Sequence, residues 1–502
     1  MPRKKENHLK SIVFSLNKEE LKAIKNHLKN SSTSNAVVKL ELLKMVLKNK
    51  DSEVEFFLKK HAVSVSKFNT IKFQLFNDIL NVLVKVFNQD KDRILNYNQA
   101  KFDLLLQKGV FKKAYRVLLE TIELAYELYD YDICYRLQLK AHEHGLFDLV
   151  GKKIHLTEMR EKLKNYHLLS YNLNQYKILA EEVLFQHYEY QDQRIDNRNN
   201  YLELLNHPLL LDENQAISMI SKYYFLRIKS IIHLGDNNFE SSRKFSLLAY
   251  KHLSKHATGY RNDKIRLLRS LNNYLDASLH LGDKKAFDIY FPKILDLVSS
   301  HLSGDFYFEL HVFQFLTSIR LNYQWLTKDT ITFKNEVKEY ERQLNIYLEY
   351  LSPNIKLEIL LGLARMYYLT RELEKGNAYC IRVIAEKNNP ASIYIVCANL
   401  LRIMINFDMH NYKLIPHLIN TSKYSLKNRN RLFELERTFL NGLKNIKLYN
   451  EKTEKYNKFK KLYTEISGLM DRSNELIIDK KIDLLSWLDG KCKNPNNPKI
   501  YL

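Results

Sequence analysis

The chain has 502 residues, 45% of them hydrophobic, which excludes a disordered polymer. It holds only 12 Gly and 8 Pro, too few turn formers for a sandwich or barrel of many short strands. Lys plus Arg number 79 against 57 Asp plus Glu, a formal charge of +22 that fits a lysine-rich solvated surface or an anionic partner and leaves the fold open. The N-terminus, MPRKKENHLKSIVFSLNKEE, starts basic, but its apolar run from Ile12 to Phe14 is too short for a signal-peptide core. Asn17 is placed to cap a helix, with Glu20 three residues later closing a capping box. That helix runs to about Asn30, and Ser31 to Asn35 is a polar linker. A second helix carries Val37, Leu40, Leu43 and Leu47. Asp51 or Ser52 caps a third, with Val54, Phe57 and Leu58 inward. A fourth begins near Ser64 or Ser66 and runs through Phe68, Ile71, Leu75, Ile79, Leu83 and Phe87. Residues 1–95 therefore read as a small helical domain or cap.

The third and fourth helices, joined near His61 to Val63, have the outline of a helix-turn-helix. Lys59, Lys60, Lys67 and Lys72 would then meet phosphates. The turn lacks a glycine, and the supposed recognition helix is long and apolar, so a capping hairpin is favoured and nucleic-acid binding is the alternative.

From residue 96 onward turn signals recur at Gly109, Gly145, near Tyr190, Gly235, Gly282, Leu326 to Asp329, Arg371 and His410. Their spacing of about 36 to 47 residues signals a stack of helical hairpins, roughly nine of them over residues 96–490. HLGD at 233–236 returns at 280–283 and is the plainest sign of repetition. Lys423 to Lys461 is rich in Lys and Arg, yet Tyr456, Phe459, Tyr463 and Ile466 keep a packed stripe. Ile477 to Trp487 reads as a last amphipathic helix, the C-terminal cap of the array. Residues 491–502, with Pro495 and Pro498, read as a tail. The expectation is an all-α protein, over about two-thirds helical.

The chemical inventory is thin. There is no glycine-rich phosphate loop, no GxSxG and no HExxH. Cys134, Cys380, Cys397 and Cys492 form no CxxC pair, so neither a disulfide framework nor a zinc module is expected, and a reducing, cytoplasmic setting is. His142, Glu143 and His144 cluster in sequence, but neighbours one and two apart on a helix diverge, so they read as solvated or capping residues. No run of about 18 apolar residues predicts a membrane span. The reading is a non-enzymatic protein without metal or cofactor.

The clearest hairpin is Lys356 to Pro390. Leu357, Leu360, Leu361, Ala364, Tyr367 and Tyr368 make one apolar face; Leu373, Gly376, Cys380, Val383 and Ile384 make the next; Asn388, Asn389 and Pro390 end it. With Leu363, Ala364 and Tyr367 on the first helix, this stretch resembles the tetratricopeptide repeat. Gly376 stands where that family has alanine, Val383 replaces a second alanine, and Pro390 falls about two residues late. The resemblance implies a right-handed α-solenoid that holds a protein or peptide on its first helices. On that register Lys222, Lys229, Arg269, Asn272, Asn273 and Arg365 would line the groove, with Asp276 as an opposing charge. This set resembles the one with which some family members hold a peptide carboxylate, so an acidic or C-terminal peptide is the expected partner. The expected function is a binding scaffold or adaptor; the alternative is a nucleic-acid-associated regulator with a sensing solenoid.

Overall fold

The computed structural model describes residues 8–16, 18–30, 35–47, 54–86, 91–151, 156–190, 202–256, 261–299, 305–386, 392–444, 452–470 and 475–492. Among them 86% are helical and none is in a strand, which meets the all-α expectation. Several sequence expectations fall outside the described residues: the Asn17 cap, the linker 31–34, the caps at Asp51 and Ser52, the turn just beyond Tyr190, the hairpin end at Asn388 to Pro390, and the tail beyond 492.

The chain forms two compact units: Met1–Asn174 with Ala257–Lys264 and Ser299–Glu309, and Gln175–His256 with Ile265–Val298 and Leu310–Leu502. In the first, α1 (His8–Ser15), α2 (Lys18–Asn30), α3 (Ala36–Leu47), α4 (Val54–Lys60) and α5 (Val65–Val86) close one core. Ile24, Leu28, Leu43, Ile71, Leu75 and Ile79 fill it. Of the periodic positions expected on the fourth helix, Phe68, Ile71, Leu75 and Ile79 are buried and Leu83 packs against this core, while Phe87 lies outside the described residues. A separate cluster, with Phe102, Ala114, Leu118, Ala125, Cys134 and Leu137, joins α6 (Lys91–Gln107), α7 (Phe111–Glu127), α8 (Tyr131–Glu143) and α9 (Leu146–Leu149). Helix α10 (Leu156–Tyr190) begins in this unit.

The second unit continues through α11 (Pro208–Leu211), α12 (Met219–Gly235), α13 (Phe239–Ser254), α14 (Arg261–His280) from Ile265 on, α15 (Lys284–Ser299) as far as Val298, α16 (Phe306–Thr327) from Leu310 on, and α17 (Thr330–Tyr347). It ends with α18 (Pro353–Leu369), α19 (Leu373–Ile384), α20 (Ile393–Asp408), α21 (Ile415–Asn428), α22 (Glu434–Lys444), α23 (Lys452–Met470), α24 (Leu476–Ile482) and α25 (Leu484–Lys491). Helices pack against chain neighbours: α12 on α13, α18 on α19, α19 on α20, and so on to α23. This sequential pairing is solenoid-like.

One turn design connects most hairpins. At α14–α15 the N–H of Gly282 bonds the carbonyl of Leu279 (3.0 Å) and that of Asp283 bonds Ser278 (2.9 Å). These are the paired bonds of a Schellman turn, which needs one left-handed residue. The same pair recurs with left-handed Gly109, Asn237, Lys328, Arg371 and His410, at the expected turns. The following Asp or Asn often starts the next helix: Asn238 accepts from the Ser241 N–H (3.1 Å), Asp283 from Ala286 (3.2 Å) and Asp329 from Thr332 (3.0 Å). The two HLGD copies are therefore not equivalent. Gly282 and Asp283 are the left-handed residue and the cap, whereas Gly235 is still helical and Asn237 and Asn238 take those roles. A further turn of this kind, at Tyr129 with Asp130 as cap, has no glycine to announce it.

The Lys356 to Pro390 hairpin is α18 and α19. Leu357, Leu360, Leu361, Ala364 and Tyr367 are buried. Gly376 lets the helices meet: a Cβ there would lie 3.2 Å from the Ala364 carbonyl oxygen.

Candidate functional site

Residues 475–492 make hydrogen bonds to residues 79 to 155 positions away in the chain. Left-handed Asp483 separates α24 from α25, and the Asp479 carboxylate accepts the Leu485 N–H (2.7 Å) across the bend. Ile478, Ile482, Leu484 and Leu488 are fully buried, so both short helices lie face-down on the unit. The last carbonyls of a helix lack partners within it. Here two find them on the first-helix face: Trp325 Nε1 of α16 donates to the Lys480 carbonyl (3.2 Å), and Arg365 Nη1 of α18 donates to the Lys481 carbonyl (3.2 Å). Arg365 is buried; its Nη2 donates to Asn322 Oδ1 (2.8 Å), and its guanidinium lies 5.3 Å from the Trp325 ring centroid. A fixed cation at the negative end of α24 favours docking. Arg365 Nε is buried with no hydrogen-bond partner among the described residues.

Charges bracket this contact. Lys328, 4.2 Å from the Trp325 ring centroid, pairs with Asp483 (2.6 Å). The Lys481 ammonium lies 4.5 Å from the Tyr394 ring centroid on α20, in the field of Glu358 and Asp276. Glu358 accepts from the Ser318 hydroxyl and from Asn322 Nδ2 (3.5 Å). Lys480 reaches over Phe239 (5.1 Å), whose ring stacks on His280 (4.3 Å). Burial pushes the Asp276 carboxyl up to about 6, against the pull of Lys481, and pushes His280 down to about 3, helped by Lys481 and Lys480. Burial also lowers the Lys481 ammonium and the Arg365 guanidinium, each partly offset by Glu358.

Helix α25 is held differently. Trp487 packs edge-on against Phe407, Phe439 and Phe459, and its Nε1 donates to Asp408 (3.1 Å). Asp408, almost buried, also accepts from Tyr368 (2.8 Å) and pairs with Lys491 (2.6 Å). One helix is thus gripped by its backbone at a charged face, the other by rings.

Of the residues proposed from sequence, Arg365 is at the centre of this contact. Lys222 pairs with Glu213, and Lys229 lies over the rings of Phe225 (4.7 Å) and Phe245 (5.6 Å). Arg269 Nη2 meets His311 Nε2 at 3.0 Å. Asn272 is half-buried, its Oδ1 without a partner among the described residues, and Asn273 is half-buried beside it. Asp276, expected as an opposing charge, lies in the field of Lys481. Trp325, Asn322, Lys328 and Glu358 were not foreseen. Only Trp325 carried a signal, its rarity: the chain has 2 Trp, and both indoles donate to this docking.

At the helix-turn-helix outline, Lys60 and His61 both meet Glu41 of α3 (2.7 and 2.8 Å), while Lys59 and Lys67 are exposed. His142, Glu143 and His144 are exposed at the end of α8, and no group of three or more potential metal ligands occurs among the described residues. No described helix is long and apolar enough to cross a membrane. No family profile matches the chain, and no curated protein is similar to it.

Proposed function

We propose that this protein is a non-enzymatic helical-repeat scaffold that binds a protein or peptide segment on the first-helix face of its second unit. The observation carrying this reading is the grip of Trp325 and Arg365 on the Lys480 and Lys481 carbonyls. Main-chain carbonyls are common to every peptide, so donors aimed at them constitute a segment-binding device independent of side-chain sequence. The chemistry suits holding: an indole donor, a guanidinium and an amide fix a backbone, while Glu358 and Asp276 favour a cation beside it.

Selection of a random peptide library on the full-length protein tests this, with Trp325→Phe as the control chain. The substitution keeps an aromatic ring and deletes the single N–H. Peptides enriched on the parent protein are expected to bind the variant several-fold more weakly, on the order of one lost hydrogen bond. Enrichment of none, or equal binding to both chains, removes the proposal.

A further inference from the structure

The first-helix face is occupied by the chain itself, and the occupant describes what the face accepts. We infer that α24 is a resident stand-in for an external ligand: the face of α16, α18 and α20 receives the last turn of an amphipathic helix with a lysine beside its final apolar anchor, and a partner segment of that chemistry exchanges with α24. This rests on the binding role proposed above and specifies both its ligand and its regulation.

Four observations carry it. First, the two backbone bonds fall on the terminal carbonyls of α24, so they recognise the end of a helix and would serve any other helix end equally. Second, Ile478 and Ile482, four residues apart and fully buried, supply the apolar anchors, while Lys481 between them is set against Tyr394 under the field of Glu358 and Asp276. The Arg365 guanidinium acts on Lys481 with the opposite sign, but an acidic side chain in the place of Lys481 would meet both carboxylates and face the Tyr394 ring, so the ligand is cationic at that point. Third, the resident fit is incomplete. Arg365 Nε stays buried and unpaired among the described residues with α24 in place, so the resident does not satisfy every donor of this cation. Fourth, α24 is short and its flank is weakly held. It has seven residues, too few to persist as an isolated helix, and its flank is a half-exposed ion pair, Lys328–Asp483, of the weak class. It joins α25 through left-handed Asp483, a backbone state that a non-glycine residue adopts under strain. Helix α25 has its own anchor in the Trp487 ring cluster and Asp408.

The test uses full-length protein and a fluorescein-labelled peptide of the sequence 475–489. A resident occupant lowers apparent affinity by the fraction of faces it leaves open. The parent chain should therefore bind the peptide weakly, and Lys481→Ala in the chain, which weakens only the resident, should tighten binding on the order of tenfold. A peptide carrying Lys481→Glu should lose binding to that chain, and adding Trp325→Phe to the chain should weaken it. Hydrogen exchange should show the peptide exposing amides 476–482 while 484–491 stay protected. Failure of the Lys481→Ala chain to bind the peptide, or equal binding of the charge-reversed peptide, overturns the inference. If library-selected peptides bind in a Trp325-dependent way without raising exchange at 476–482, the binding role stands and the exchange falls. If no peptide of either kind binds, both fall.

Discussion

Replacing Gly376 probes the hairpin contact on which the repeat register depends. A Cβ there would sit 3.2 Å from the Ala364 carbonyl oxygen, 3.3 Å from Ile405 Cδ1 and 3.4 Å from the Tyr368 nitrogen. Two of the three atoms are backbone and cannot rotate away. Alanine gains up to about 1 kcal/mol of helix propensity over glycine. The crowding of its single methyl offsets this gain, so Gly376→Ala should fall slightly below the parent. Gly376→Val adds two further methyls against the same backbone, and overpacking of this kind costs about 1–3 kcal/mol. Gly468, inside α23 with no atom within 4 Å of its hypothetical Cβ, is the control. Gly468→Ala keeps the propensity gain and should stabilise by up to about 1 kcal/mol. Urea unfolding gives the order of midpoints: Gly468→Ala, parent, Gly376→Ala, Gly376→Val. A Gly376→Val midpoint equal to the parent would refute the close approach of α18 and α19.

Ala364→Trp, at a fully buried position of the same contact, should destabilise by about 1–3 kcal/mol, read from the same urea curves. Arg371→Gly should stabilise by roughly 0.5–1 kcal/mol, because Arg371 is left-handed (φ 64°) and glycine adopts that state freely; a lowered midpoint would mean its ion pair with Asp408 matters more. Burial pushes buried His187 down to about 4, so the unfolded chain takes up a proton that the folded chain refuses as pH falls from 6.5. Stability should then decline by about 3 kcal/mol by pH 4 from this group, and His187→Gln should flatten that part of the profile. Burial also raises the thiols, Cys134 to about 12 and Cys380 higher still. Native protein at pH 8 should leave both unlabelled by iodoacetamide, and urea should open them.

The sequence alone determined the helical class, most hairpin turns and the tight hairpin of α18 and α19. These are local properties. Apolar residues recurring at three and four positions mark a helix whatever surrounds it. A left-handed residue followed by Asp or Asn closes a turn through bonds within six residues. Even so, Tyr129 and Lys328 show that a turn need not use glycine, and the HLGD copies show that a repeated motif need not repeat a structural position. Tertiary structure decided the candidate site. Trp325 and Arg365 meet carbonyls 155 and 116 residues further along the chain, and no local pattern encodes that distance. Ile477 to Trp487 was legible as a closing helix, but not as the occupant of a face. Amphipathicity says that a helix buries one side and never says against what. Nor could charge counting place Asp276 and Glu358 around a lysine in a protein of charge +22, because the field at a site is set by the few groups that folding brings near it rather than by the sum over the chain.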